Sequence, residues 1–444
     1  MNRQAKEHSS AGGLYAASTD ARMAHIAAGL KVRRNRSKRL QYCGIAAIVT
    51  ALGFLCILLS TIFANGYTAL QQTEIAIDIE LPLQKLVGND GAMDPDKMSK
   101  FNWGGFVKKA FRQKFPDVKG MMDRRSLGEL VSENAGYEMR MEIEKSGILV
   151  AGPQTLWIKA SDDVDMLMKG RLDRTLDEQS RRIKDNQLVW IDKLVADDAI
   201  RLAFNKTFFT AADSREPESA GILGAIVGSA MALMVTVVLA LPLAIMSAVY
   251  LEYFAKQGRV TDFIEVNINN LAAVPSIVFG LLGLAVFLGF FGMPRSAPLV
   301  GGMVLALMTL PTIIIATRAS IRAVPTSIRD AALGLGASPM QAALDHVLPL
   351  AMPGILTGTI IGIAQALGET APLIMIGMVA FIVDVPTSIT DPATALPVQI
   401  FIWSDSAERA FYERSSLAIM VLVAFLISMN VMAVMLRRRF ERKW

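Results

Sequence analysis

The chain has 444 residues, 52% of them hydrophobic, and a formal net charge of +5. An ordinary soluble domain is less apolar, and here the apolar residues gather in long runs, so a membrane protein is expected. The modest positive charge sits at the ends of those runs, which bears on orientation in a membrane and excludes a nucleic-acid-binding surface.

Both cysteines, Cys43 and Cys56, fall in the first apolar run. About four helical turns separate them, beyond disulfide reach within one helix. No disulfide framework or zinc site is expected. About forty polar and basic residues precede that run, too long an n-region for a cleavable signal peptide, so the run reads as a retained membrane helix.

A spanning helix needs about twenty apolar residues. Six segments qualify: 42–64, 222–250, 271–291, 299–316, 355–383 and 417–436. Lys31, Arg33, Arg34, Arg36, Lys38 and Arg39 precede the first and predict a cytoplasmic N-terminus. Lys256 and Arg259, then Arg318, Arg322 and Arg329, then Arg437, Arg438, Arg439, Arg442 and Lys443 all fall on the same side of a six-pass topology, with both termini cytoplasmic. The chain then divides into a basic cytoplasmic segment (1–40), a first membrane helix (41–64), an extracytoplasmic domain (65–219), a membrane bundle (220–439) with a cytoplasmic loop at 324–350, and a cytoplasmic tail (440–444).

Within 65–219, residues 73–81 alternate like a strand, 147–160 read as a hairpin, and 171–208 carry apolar positions at helical spacing, predicting one or two amphipathic helices. This is an inserted α+β domain without a catalytic motif, read as a binding or gating module. The whole chain has neither a His-Glu-x-x-His pair nor a phosphate-binding Gly-x-x-x-x-Gly-Lys-Ser/Thr loop. Its three histidines are His8, His25 and His346. An enzyme is not expected, and a chain without its own phosphate loop implies a separate ATPase if transport is ATP-driven.

Two segments carry the candidate chemistry. In the cytoplasmic loop, Asp330, Ala331 and Ala332 are followed by Gly336 and then by His346-Val347-Leu348-Pro349. Small residues allow close helix contact, and Gly336 supplies the positive φ of a tight turn. Ser338-Pro339 reads as an N-cap with proline at the first helical position. A second short helix would run over 340–347 and close at Pro349. In the fifth span, Glu369 lies within Gly368-Glu369-Thr370-Ala371-Pro372. An ionisable residue there is costly to bury, so it either serves function or pairs with a basic residue to hold helices together.

The spacing Asp-Ala-Ala, Gly336, His-Val-Leu-Pro resembles the coupling-loop signature of ABC importer permeases, with Asp330 at a position where that family usually has Glu. The 368–372 run is similar to the PstA-type phosphate permeases. Other stretches agree, among them Leu241-Pro242-Leu243, Ala273-Val274-Pro275-Ser276 and Leu396-Pro397-Val398-Gln399-Ile400. The resemblance covers about 221–439. It implies a fold class: an all-α polytopic membrane protein of six transmembrane helices, with a five-helix type I ABC importer permease core and the inserted domain as an addition.

The resemblance further implies a substrate path through Glu369, Gln365, Thr370, Arg318 and Arg322, and ATPase coupling through Asp330, Ala331, Ala332, Gly336, His346, Leu348 and Pro349. Partners would be a PstB-like ABC ATPase dimer, a PstC-like second permease, a PstS-like phosphate-binding protein and membrane lipid, with no nucleic acid. No cofactor or metal is expected on this chain, since ATP and Mg would be bound by the ATPase. Gln365 stands where the family usually has Arg, and a lone amide offers an anion less than a guanidinium fork. Arg318 and Arg322 would compensate on one reading and be inside-positive anchors on the other. A permease for another oxyanion, sulfate or molybdate, is the near alternative, and a membrane receptor using the 65–219 domain the distant one.

Overall fold

A computed structural model describes residues 4–88, 94–146 and 152–440. The chain separates into two units, Met1–Ile62 and Phe63–Trp444. The first is helical throughout its described length, within helix α1 (Gln4–Gly66). Its apolar portion belongs to the candidate span Arg33–Leu70. The helix continues without a break through the basic residues before that portion, where sequence reading places a separate segment.

The second unit opens with a three-stranded antiparallel sheet. Strand β1 (Gln71–Glu80) lies between β2 (Pro153–Lys159) and β3 (Ile200–Phe204). Ile75, Ile77 and Ile79 alternate along β1 and are buried, so one face of the sheet points into a core. Helices α2 (Trp103–Gln113), α3 (Ala135–Ser146), α4 (Asp162–Met168) and α5 (Asp185–Ala196) accompany the sheet, and Phe111, Leu127, Leu130, Ile191 and Leu194 fill that core.

Of the hairpin expected over 147–160, residues 147–151 lie outside the described residues, and the remainder forms strand β2, paired with β1 through Ile75–Ile158 and Ile77–Leu156. One expectation for this region needs correction: of the one or two helices expected over 171–208, α5 forms, but residues 200–204 are strand β3. The local charge pattern favours helix, and pairing with β1, more than 120 positions earlier, overrides it.

The bundle begins at α6 (Leu223–Val249), which runs on through a π turn at Tyr250–Phe254. Helix α7 (Arg259–Ala272) follows, then α8 (Ser276–Gly283) with a π extension to Phe290. Next come α9 (Pro298–Arg322), α10 (Thr326–Gly334), a turn and π segment over 339–347, α11 (Leu348–Gly368), α12 (Ala371–Met375), α13 (Leu396–Ser404) and α14 (Arg409–Phe440). Helix α9 packs against both α6 and α11. The contact is close because a Cβ at Gly302 would stand 2.6 Å from the Ala232 carbonyl oxygen, and Thr236 Oγ1 donates to the Gly302 carbonyl at 3.1 Å.

Among the described residues, five helices are long and apolar enough to cross a membrane: Arg33–Leu70, Leu223–Phe254, Pro298–Arg322, Pro339–Gly368 and Arg409–Arg439. The expected third span is a bent pair, Arg259–Ala272 and Ser276–Phe290, meeting at 101°. Pro275 forces extended backbone just before α8, which breaks the run. The fifth span also differs. It starts upstream of 355 and stops at Gly368, because Pro372 cannot donate to the Gly368 carbonyl and its ring collides with it. Of the expected tail, residues 441–444 lie outside the described residues.

Candidate functional site

The loop between α9 and α11 is built by local chemistry. Helix α10 ends in a Schellman motif: the Gly336 N–H donates to the Leu333 carbonyl at 3.0 Å, and the Ala337 N–H reaches the Ala332 carbonyl at 3.1 Å. Gly336 sits at φ +92°, a conformation that L side chains resist. Ser338 then starts the next helix with a capping box. Its hydroxyl accepts from the Gln341 N–H at 3.2 Å, and its own N–H donates to Gln341 Oε1 at 2.9 Å.

Pro349 does not close this second helix, as its sequence position suggested. The chain passes through a π turn at Ala342–Val347 directly into α11. The wider turn just before Pro349 accommodates a ring that would clash with an α-helical carbonyl four residues back. The hairpin of α10 and the 339–347 segment therefore hangs from the start of α11 as a continuous lever.

Ala332 is buried in the hairpin contact together with Ala342, Ala343 and Val347. Asp330, Ala331, Gly336, His346 and Pro349 are exposed and Leu348 is half-buried. Asp330 lies 3.4 Å from the Arg329 guanidinium. Sequence reading missed Leu333, Leu335, Met340 and Leu344, which are exposed along the same hairpin, Leu335 at 91%. Their signal was present: apolar side chains in a charged loop between spans mark a contact surface.

Glu369 occupies the C-cap of α11 with extended backbone, between that helix and α12. It is half-buried, as is Thr370, while Gln365 one turn earlier is exposed. Among the described residues the Glu369 side chain makes no hydrogen bond or ion pair, so no basic partner holds it. The broken helix leaves carbonyls at the end of α11 and amides at the start of α12 near this carboxylate.

Arg318 and Arg322 are committed elsewhere. Arg318 Nε donates to Glu252 Oε1 at 2.6 Å and its Nη2 to Glu265 Oε1 at 2.5 Å, while Arg322 Nε donates to Glu252 Oε2 at 2.9 Å. This knot ties the ends of α6 and α9 to α7. No hydrogen bond or ion pair among the described residues joins either arginine to Glu369, Gln365 or Thr370. Arg318→Ala should lower the thermal midpoint of the solubilised protein by a few degrees, since it strands Glu265 and leaves Glu252 to Arg322 alone, at a cost of about 1–3 kcal/mol. Arg318→Lys should recover only part, because an ammonium cannot fork between both. An Arg318→Ala protein of unchanged midpoint that loses transport would instead place Arg318 on the path.

Among the described residues, five helices long and apolar enough to cross a membrane, with a helical hairpin of exposed apolar side chains between two of them, are the features of a multi-pass membrane protein. Residues 240–443 match the family described as "Binding-protein-dependent transport system inner membrane component". The phosphate transport system permease protein PstA 1 of Mycobacterium tuberculosis is 32% identical over 224 residues, covering 50% of this chain and 72% of its own. PstA of Yersinia pestis is 30% identical over 216 residues, covering 48% and 71%. A probable ABC transporter permease, YqgI of Bacillus subtilis, is 32% identical over 168 residues, covering 38% and 56%.

The chain belongs to the PstA-type permeases of ABC transporters, and it is a multi-pass inner-membrane transporter subunit rather than an enzyme. Residues 27–178 separately match a domain of unknown function (DUF3333), a stretch that takes in β1 and β2 but stops short of β3. Among solved structures, an inward-facing MetNI methionine transporter aligns over 50% of this chain and 96% of its own at 17% identity and a TM-score of 0.40.

Proposed function

We propose that this chain forms half of the translocation path of an ATP-driven importer for inorganic phosphate. The observation that carries the substrate is the likeness over about half the chain to permeases named for phosphate transport. A half-buried Glu369 at a helix break, without a partner among the described residues, supports a role for 365–370 along the path, where broken-helix termini offer polar groups to a passing ion.

In this reading the bent pair completes six passes, both termini are cytoplasmic, and the sheet domain faces the periplasm. The 324–350 hairpin docks a PstB-like ATPase dimer, which binds ATP and Mg. A PstC-like permease completes the path, and a PstS-like protein delivers the anion. ATP binding closes the ATPase dimer and shifts the bundle between two access states by differential contact with the hairpin.

Radiolabelled phosphate uptake under phosphate limitation tests this. Deleting the gene should lower uptake at least tenfold, and Glu369→Gln in an otherwise intact complex should lower it by a smaller factor at unchanged expression. Unchanged phosphate uptake in the deletion strain, with sulfate or molybdate uptake lost, would transfer the protein to another oxyanion.

A further inference from the structure

The turn Pro217–Ser219 joins the sheet domain to α6, the first bundle helix, and packs against the start of α14, the last. Glu218, in the middle of that turn, is 2% exposed. Its Oε2 has no hydrogen-bond partner among the described residues. Gln72 of β1 donates to its backbone carbonyl at 2.6 Å, fixing the turn against the sheet.

The charges around Glu218 come from every side. Asp162 of α4 and Glu216 in the same segment oppose its ionisation, and a hydrogen bond with Ser132 favours it. From α14, the buried Arg414 guanidinium donates through Nη1 to the Ala220 carbonyl at 3.0 Å. Asp165 and Glu413 are held by Lys169, and Glu138 of α3 is taken by Lys159 and by the Ser219 hydroxyl. The Arg414 charge favours an ionised Glu218, but it is shared with Asp165, Glu413 and Asp162, and burial outweighs it: a carboxylate with an unpartnered oxygen in such a place favours its neutral form.

The geometry points to a proton-operated latch: Glu218 holds a proton that tightens the seat of the sheet domain on the first and last bundle helices, and loss of that proton loosens it. Burial, aided by the acidic neighbours, pushes the Glu218 carboxyl up to about 7 from an ordinary value of 4.5. Burial and Asp162 likewise push Asp163 up to about 6, and burial raises Glu216 and Glu408. The native junction binds the proton more tightly than the open chain does. Its contribution is therefore whole below about 4.5 and is lost as pH rises through about 7. If the sheet domain faces the periplasm, as proposed above, the latch reads the pH outside the membrane.

Hydrogen exchange on the full chain in lipid nanodiscs tests the latch without any transport assay. After correction for intrinsic exchange, protection over 213–222 should fall about tenfold or more between pH 5.5 and 8.0, while the sheet core at 75–79 stays unchanged. Glu218→Gln, which mimics the protonated form, should abolish the step and keep the protected state at pH 8.0. Wild-type protection that ignores pH, or a step that persists in Glu218→Gln, would overturn the latch. If the variant fails to insert, Asp163→Asn should leave the wild-type step in place, and loss of the step in that variant would overturn the latch. A failed latch leaves the phosphate reading standing, and lost phosphate specificity leaves the exchange result unaffected.

Discussion

Replacing Gly336 with valine is expected to cut ATP-driven uptake at least tenfold while leaving the protein in the membrane at normal abundance. The turn at Gly336 has φ +92°, and a Cβ built there meets nothing within 4 Å. The defect would therefore be conformational, not steric crowding by neighbours. A left-handed conformation costs an ordinary L residue about 1–2 kcal/mol and a β-branched residue more.

That cost falls on the Schellman turn that folds α10 against the 339–347 segment, so it distorts the hairpin without touching the bundle's packed core. Asparagine tolerates this backbone region best, so uptake should fall in the order asparagine, alanine, valine, with Gly336→Asp also impaired. ATPase activity of the assembled complex should lose its dependence on the loaded binding protein in the same order. Normal uptake by Gly336→Val would remove the hairpin from the coupling path. A uniform loss across all variants would point to a side-chain contact at that position instead of backbone strain.

The parts of this hairpin that were legible in the sequence are those set by neighbours in the chain. A glycine after a helical run and a Ser-Pro start each have a local physical reason, and the structure places them as turn and cap. Strand β1 was equally legible because Ile75, Ile77 and Ile79 alternate over a buried face.

What stayed hidden depends on distant partners. Arg318 looks the same in sequence whether it meets an anion or Glu252, 66 positions away. Strand β3 looks helical until β1 is beside it. The break at Glu369 had its cause in view, at Pro372, yet hydropathy alone ran the span through it to 383. Apolar composition reports solubility in lipid, and only backbone hydrogen bonding decides where a helix stops.

Lys169→Met is expected to be the most destabilising single change at the junction of the sheet domain and the bundle. Lys169 Nζ lies 2.7 Å from Asp165 Oδ2 and 3.0 Å from Glu413 Oε1, with the lysine side chain only 3% exposed. Asp165 also accepts the Thr73 N–H through Oδ1 at 2.7 Å, so one carboxylate fastens α4 to the start of β1 while the lysine reaches α14.

Removing the cation leaves two carboxylates in a site with little water, and breaking a buried pair in this way costs about 3–5 kcal/mol. The loss should appear as a marked drop in thermal midpoint and as protease cleavage between 205 and 222 in the intact membrane protein. The compensating variant separates charge from packing. Lys169→Met combined with Glu413→Gln removes one of the stranded charges and should recover a substantial part of the loss, whereas two independent packing defects would simply add. A single variant that costs less than about 1 kcal/mol would mean that water reaches this site in the native protein. The sheet domain would then be free to move against α14 instead of being fastened to it.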